Sequence, residues 1–145
     1  MMLSRYRNAR TFSTTSAVLG LAFLIGGVAH ALGWMHIGTL DNEPRVFVSS
    51  GVEVLCGVLL LGAAFVLRSA QPNGWRNAIG AHALALVCLL LGMVMFSAAL
   101  GVSLFGVGFH LVMLLLVGLN TVGLWRLRPR NPLRRAQHEI AARLY

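Results

Sequence analysis

Three side chains with acid–base or ligand chemistry interrupt long apolar stretches of the sequence. Glu53 is the only carboxylate in one such stretch, and His30 and His110 lie in two others. A carboxylate in hydrocarbon takes up a proton or finds a partner, and ionisable residues at membrane depth are costly and often functional. We therefore take His30, Glu53 and His110 as a candidate cofactor-binding site.

The composition indicates that the elements holding these residues are membrane-spanning. Of the 145 residues, 57% are hydrophobic and only 11% are charged, with a mean hydropathy of +0.76. A soluble domain this small buries too little of its chain to hide so much apolar surface. The formal net charge of +8 is therefore not taken as a sign of nucleic-acid binding.

Charge-free stretches define the spans. Thr11–Leu40 and Asn77–Trp125 carry no charged residue, and Val46–Leu67 carries only Glu53. Since a bilayer core needs about 20 apolar residues per helix, the longest stretch must turn back once. The sequence predicts one all-α domain over residues 1–145, an integral membrane four-helix bundle. Its expected spans are Ala17–Ile37, Val46–Leu67, Arg76–Ala98 and Val102–Trp125.

The arginines predict the orientation of this bundle. Eleven of twelve fall on the side that holds both termini and the second link, and only Arg45 falls on the other. Positive residues favour the cytoplasmic side, so we expect both termini inside, in a bacterial inner (plasma) membrane. The arginines also favour contact with anionic lipid of the inner leaflet.

The spans bring the polar residues to two levels. By the helical rise, His30, Glu53 and His110 each lie about 10–12 Å below the outer surface. His82 and Asn120 form a second polar layer, about 8–9 Å from the cytoplasmic ends of their helices. A packing role is the alternative interpretation for Glu53, as is a position closer to the aqueous surface, and a packing or interface role is the favoured interpretation for each histidine.

Several ligands fit the first level. His30 and His110 would serve as the axial ligands of a haem b if the first and fourth helices are neighbours. A quinone-type ring, a lipid headgroup or a cation are alternatives. No short-range ligand motif supports a metal, so none is predicted. Cys56 and Cys88 are expected to be small apolar fillers.

Both ends of the chain carry further signals. The N-terminal segment resembles a cleavable signal peptide, with the basic residues Arg5–Arg10, an apolar run and a candidate cleavage site at Ala29–Ala31. The apolar run continues to Ile37, however, which favours a retained membrane helix. In the tail, residues 126–145, a short amphipathic helix is expected after Asn131 and Pro132, lying on the cytoplasmic surface.

The second span is similar to that of a known family. Gly51, Val52, Glu53 and the glycines at 57 and 62, followed by Arg68, resemble the second helix of DoxX-like small membrane proteins. The resemblance implies four helices and singles out Glu53. It also implies association with thiol or sulfur redox systems, sometimes linked to quinones.

The sequence thus predicts a small polytopic membrane protein rather than an enzyme. It has no nucleophile elbow, phosphate loop or zinc motif. We expect a non-catalytic accessory or interaction subunit with a polar outer-leaflet pocket. The alternatives are a redox protein that binds haem or quinone, and a small dimeric transporter. Small residues at helical spacing, Ala22 with Gly26 and Ala81 with Ala85, fit close packing within one bundle or a homo-oligomer.

Overall fold

The computed structural model describes residues 2–33, 47–69, 71, 73–99 and 104–128, and these are organised as four α-helices. Their bounds are α1 Met2–Leu32, α2 Phe47–Arg68, α3 Gly74–Ala99 and α4 Leu104–Leu127. Each is long and apolar enough to cross a membrane, as the sequence predicts. The structure does not describe the expected amphipathic tail helix. It also does not describe the link between the first and second helices, which contains Arg45.

The last three helices lie within two residues of the predicted spans, but the first differs. α1 begins at Met2, and its apolar part is Asn8–Leu32 rather than 17–37. Hydroxyl groups in the early turns donate to carbonyls of the preceding turn, from Thr14 to Arg10 at 3.0 Å and from Ser16 to Phe12 at 2.7 Å. These local bonds satisfy polar groups without breaking the helix.

A glycine ends α1 five residues before the predicted Ile37. Gly33 has a φ of 70°, and its N–H donates to the His30 carbonyl at 3.2 Å. This left-handed cap terminates helices, and glycine adopts it without steric cost. His30 is therefore in the last turn of α1.

The helices pack in the order α1–α2–α3–α4 around the bundle, with α4 also against α1. Each helix contributes two side chains to a buried apolar layer at mid-height. These are Leu19, Phe23, Cys56, Leu60, Ala85, Leu89, Met113 and Val117. A smaller buried cluster of Ala63, Leu67, Ala78 and Leu124 lies toward the α2–α3 turn.

Two glycines bring α1 and α2 into backbone contact. A Cβ atom on Gly20 would lie 2.9 Å from the Gly57 carbonyl oxygen, and one on Gly57 would lie 2.9 Å from the Gly20 oxygen. Close helix approach in membranes depends on such small residues. The crossing lies beside the mid-height apolar layer and holds α1 against α2.

Candidate functional site

Three helices bring His30, Glu53 and His110 to one end of the bundle. His30 lies in the last turn of α1, whereas Glu53 and His110 lie in the second turns of α2 and α4. Because α2 and α4 run opposite to α1, a position near the end of α1 meets positions near the starts of the other two.

The two imidazoles flank the one carboxylate. His30 Nδ1 lies 2.8 Å from Glu53 Oε2, within hydrogen-bond distance. His110 Nε2 lies 3.2 Å from Glu53 Oε1. The imidazole ring centroids are 5.9 Å apart. We call these three residues the Glu53 cluster.

The Glu53 cluster is almost entirely buried. The Glu53 side chain has no exposed surface, the His30 side chain is 2% exposed, and that of His110 is 12% exposed. Among the described residues, Glu53 Oε1 is the one buried side-chain oxygen or nitrogen without a well-formed hydrogen bond, and His110 Nε2 lies 3.2 Å from it as an ion-pair contact. A buried acceptor of this kind is costly unless a donor is supplied.

The walls of the Glu53 cluster are small residues and aromatic rings. A Cβ atom on Gly26 would lie 3.5 Å from Glu53 Oε1 and 3.1 Å from Phe109 Cζ. The Phe109 ring stands edge-on to His110, with centroids 5.4 Å apart. Gly26 therefore leaves the room in which Oε1 lies, between α1 and α4.

The second polar level forms a different kind of structure, which we call the Asn120 layer. It contains Thr15, Ser16, His82 and Asn120, contributed by α1, α3 and α4. Asn120 Nδ2 lies 2.9 Å from His82 Nε2 and donates to Ser16 Oγ at 3.2 Å. Thr15 Oγ1 donates to Asn120 Oδ1 at 3.0 Å.

One tautomer of His82 satisfies the whole Asn120 layer. His82 Nδ1 lies 2.8 Å from the Ala78 carbonyl, which can only accept, so the proton is on Nδ1. Nε2 is then the acceptor for Asn120, while the Ser16 hydroxyl donates to Phe12. Both amide hydrogens of Asn120 are used, and the neutral imidazole has a partner on each nitrogen.

The apolar mid-height layer separates the two polar levels. Ser16 and His30 are fourteen residues apart on α1, or about 21 Å, and His110 and Asn120 are ten apart on α4, or about 15 Å. Between them the described core side chains are the apolar residues of the four helices.

Among the described residues no group of three or more His, Cys, Asp or Glu side chains has a geometry that holds a metal ion. For haem, α1 and α4 are neighbours, as that hypothesis requires. However, His30 Nδ1 and His110 Nε2 both contact the Glu53 carboxylate. Ligation of iron through these atoms would require Glu53 to move out from between them.

Sequence reasoning brought His30, Glu53 and His110 to one level and His82 and Asn120 to another, and the side chains of each level are in contact. It missed Ser16, Thr15 and Phe109. The run of hydroxyl residues Thr11–Ser16 in an apolar context was the available signal for Ser16 and Thr15. His36, Asp41 and Glu43, which the sequence predicts at the outer surface above His30, Glu53 and His110, lie outside the described residues.

Comparisons with models of protein families, with curated protein sequences and with solved structures returned no match for this chain.

Proposed function

We propose that the chain is a multi-pass protein of the bacterial inner membrane that works as a non-catalytic accessory or interaction subunit. Both termini are cytoplasmic in this proposal, which puts the Glu53 cluster in the outer leaflet. Four apolar helices and the one-sided distribution of arginines support it.

A single observation carries the functional part of the proposal. Glu53 Oε1 is buried without a hydrogen bond, although natural proteins satisfy nearly all buried polar atoms. A group that donates a hydrogen bond to Oε1 completes the site. The donor comes from a partner protein or a small polar molecule that inserts beside His110.

The seam between α1 and α4 is the route for this donor. Oε1 faces His110, the most exposed member of the Glu53 cluster, and the Phe109 ring, which packs against Gly26 at the same point, would shift to admit a donor. The residues that directly follow His110 on α4, Leu111 and Val112, have exposed side chains that face lipid in this proposal. A partner helix lying on this face reaches His110 without unfolding the bundle.

The resemblance to DoxX-like proteins is part of the same proposal. The residue that it singles out, Glu53, is the residue that bridges the two histidines. In this proposal the partner belongs to a membrane-associated redox system.

Photo-cross-linking in living cells tests the proposal. A photoreactive residue at Leu111 lies next to the Glu53 cluster, and one at Leu119 gives the matched control, since both positions are lipid-facing on α4. We expect an adduct of defined mass from position 111 that is lost in Glu53→Gln, and none from position 119. Identical adducts at the two positions, or adducts unchanged by Glu53→Gln, contradict the proposal.

The convergence of two imidazoles supports a second candidate, a redox protein that binds haem or quinone. The visible spectrum of the purified protein separates the two candidates. A Soret band that is lost in His30→Ala or His110→Ala supports haem, and a colourless protein removes it. Quinone found in the lipid extract of the wild type, and absent from that of Glu53→Gln, supports the quinone form.

A further inference from the structure

The Glu53 cluster has an unbalanced charge unless it holds a proton. A carboxylate with two neutral imidazoles carries one negative charge, and that charge lies where no side-chain surface of Glu53 reaches solvent. Transfer of an isolated charge to such a place is strongly unfavourable. One added proton makes the three side chains together neutral, and a second gives them a net positive charge.

No other described group balances this charge. α1 presents His30 to Glu53, and α4 presents His110. On α2 itself the nearest titratable residue is Cys56, whose thiol contacts the Ala85 carbonyl at 3.5 Å. α3 packs at this level through Gly92 against Val52, and its described charged residue, Arg76, is at the other end of the helix.

The atoms that share the proton form a chain of contacts from one imidazole through the carboxylate to the other. His110 Nε2 is 3.2 Å from Oε1, and Oε2 is 2.8 Å from His30 Nδ1. The single proton moves one transfer at a time: it passes from His110 Nε2 to Oε1, which makes Glu53 a neutral carboxyl group, and from that carboxyl group, once the proton is on Oε2, it passes to His30 Nδ1. Each transfer moves one proton from a nitrogen to an oxygen or the reverse, and no electron changes place.

We propose that the His30–Glu53–His110 cluster is a proton-binding site that holds a single proton shared among the three side chains. His110, which has the largest exposed fraction of the three at the surface of the bundle, is the member that takes up and gives up this proton at its own end of the bundle.

The site serves one side of the membrane only. In the described bundle, apolar core side chains lie between the Glu53 cluster and the Asn120 layer. Among these residues the one group with an exchangeable proton is the Cys56 thiol, which contacts the Ala85 carbonyl, and one thiol does not bridge the roughly 15 Å between His110 and Asn120 along α4. The proton therefore enters and leaves at the same end of the bundle, so the site stores or relays a proton and does not translocate it.

Magnetic resonance of isotope-labelled histidine in the full-length protein, reconstituted in bilayers at neutral pH, tests the proposal. We expect one imidazolium per chain from His30 and His110 together, and a neutral His82 with its proton on Nδ1. A protonated-carboxyl infrared band assigned to Glu53 is the other form of the same one-proton state and also supports the proposal.

Glu53→Gln supplies the second half of the test. We expect loss of the imidazolium signal, because the carboxylate charge that stabilises it is removed, while the His82 signal stays unchanged and reports an intact bundle. The wild-type spectrum decides alone if this variant does not fold. The absence of both the imidazolium and the carboxyl band, or an imidazolium that persists in Glu53→Gln, overturns the proposal.

A third variant tests the exchange route. In His110→Phe the proton remains on the His30–Glu53 pair, and its exchange with water slows by about tenfold or more because the exposed member is gone. Val122→Ala, lipid-facing on the same helix, is the matched control and leaves the rate unchanged. Exchange that is as fast in His110→Phe as in the wild type removes His110 as the route.

These measurements use the purified chain without a partner. They can therefore succeed where the cross-linking experiment fails, or fail where it succeeds, and so separate proton binding from the proposed interaction.

Discussion

The two polar levels of this bundle contain similar groups but differ in how completely those groups are hydrogen-bonded. In the Asn120 layer, which consists of a neutral histidine, an amide and two hydroxyl groups, every N–H of the amide and of the imidazole ring donates a hydrogen bond. In the Glu53 cluster, a carboxylate meets two imidazoles and one of its oxygens lacks a hydrogen bond. The Asn120 layer has one stable arrangement, whereas the Glu53 cluster has several positions for one proton.

This difference separates a packing role from a working role. A fully bonded buried network fixes the relative positions of helices and leaves no polar atom in need of a further partner. An incompletely bonded carboxylate is destabilising by itself and is therefore expected where a ligand, a partner or a proton completes it. Burial alone does not distinguish the two levels, since Glu53 and His82 are both completely buried.

The largest expected effect is that of Glu53→Leu. The His30 and His110 imidazoles both lose the Glu53 carboxylate, at roughly 1–3 kcal/mol for each lost interaction, so we expect a loss of about 3 kcal/mol in the free energy of unfolding. Glu53→Gln retains the shape and is expected to fold while function in the host is impaired. Unfolding in detergent measures the first effect. Wild-type behaviour of both variants in stability and host phenotype would remove the Glu53 cluster as a functional site.

A smaller loss is expected from Asn120→Leu. Thr15 Oγ1 already lies 3.1 Å from the Phe12 carbonyl, and Ser16 Oγ lies 3.2 Å from His82 Nε2, so both hydroxyls have substitute partners. We therefore expect a loss of about 1 kcal/mol, with the function of the Glu53 cluster retained. The same denaturation measurement checks it. A loss as large as that of Glu53→Leu would contradict the distinction between the two levels.

Asn120→Asp is expected to change charge more than stability. It places a carboxylate at 2.9 Å from His82 Nε2, which is the geometry of His30 with Glu53. We expect an imidazolium signal at His82 that is absent from the wild type. Asn120→Gln is not matched in length, so the wild type serves as the control. If His82 stays neutral in Asn120→Asp, a carboxylate is not sufficient to make a proton-binding site in this bundle.

The smallest expected effect comes from one methyl group at Gly26. Gly26→Ala places a Cβ atom 3.1 Å from Phe109 and 3.5 Å from Glu53 Oε1. The Phe109 ring must shift by a few tenths of an ångström, so we expect a change in stability below about 1 kcal/mol and partial closure of the seam. The photo-adduct from position 111 should weaken. Gly62→Ala, where a Cβ atom meets nothing within 4 Å, is the control.

The number and type of elements were predictable because hydropathy and turn residues determine them. The Ser69–Gly74 turn is the clearest case, since Gly74 cannot carry a side chain there: a Cβ atom would lie 2.5 Å from the Val66 carbonyl oxygen. The start of α1 was not predictable from hydropathy, because the run of hydroxyl residues reads as polar but satisfies itself within the helix.

The candidate site was predictable in level but not in contact. Helical rise places His30, Glu53 and His110 at one depth, but depth says nothing about rotation of a helix about its axis or about which helices are neighbours. Those depend on side-chain packing across the bundle, such as Gly26 against Phe109. The hydrogen bonds that distinguish Glu53 from Asn120 depend on that packing, so they could not be predicted from the sequence.

The backbone contact between Gly20 and Gly57 lies midway between Arg10 and His30 on α1. Gly20 is ten residues from Arg10 and ten from His30, about 15 Å in each direction. A tilt of α1 by about 5° about this contact would move Arg10 and His30 by about 1.3 Å in opposite directions, given that rise per residue. That distance is enough to break the 2.8 Å contact between His30 and Glu53. We expect that a tilt of this kind, imposed at the arginine-bearing end of α1, would separate His30 from Glu53 at the other end of the bundle.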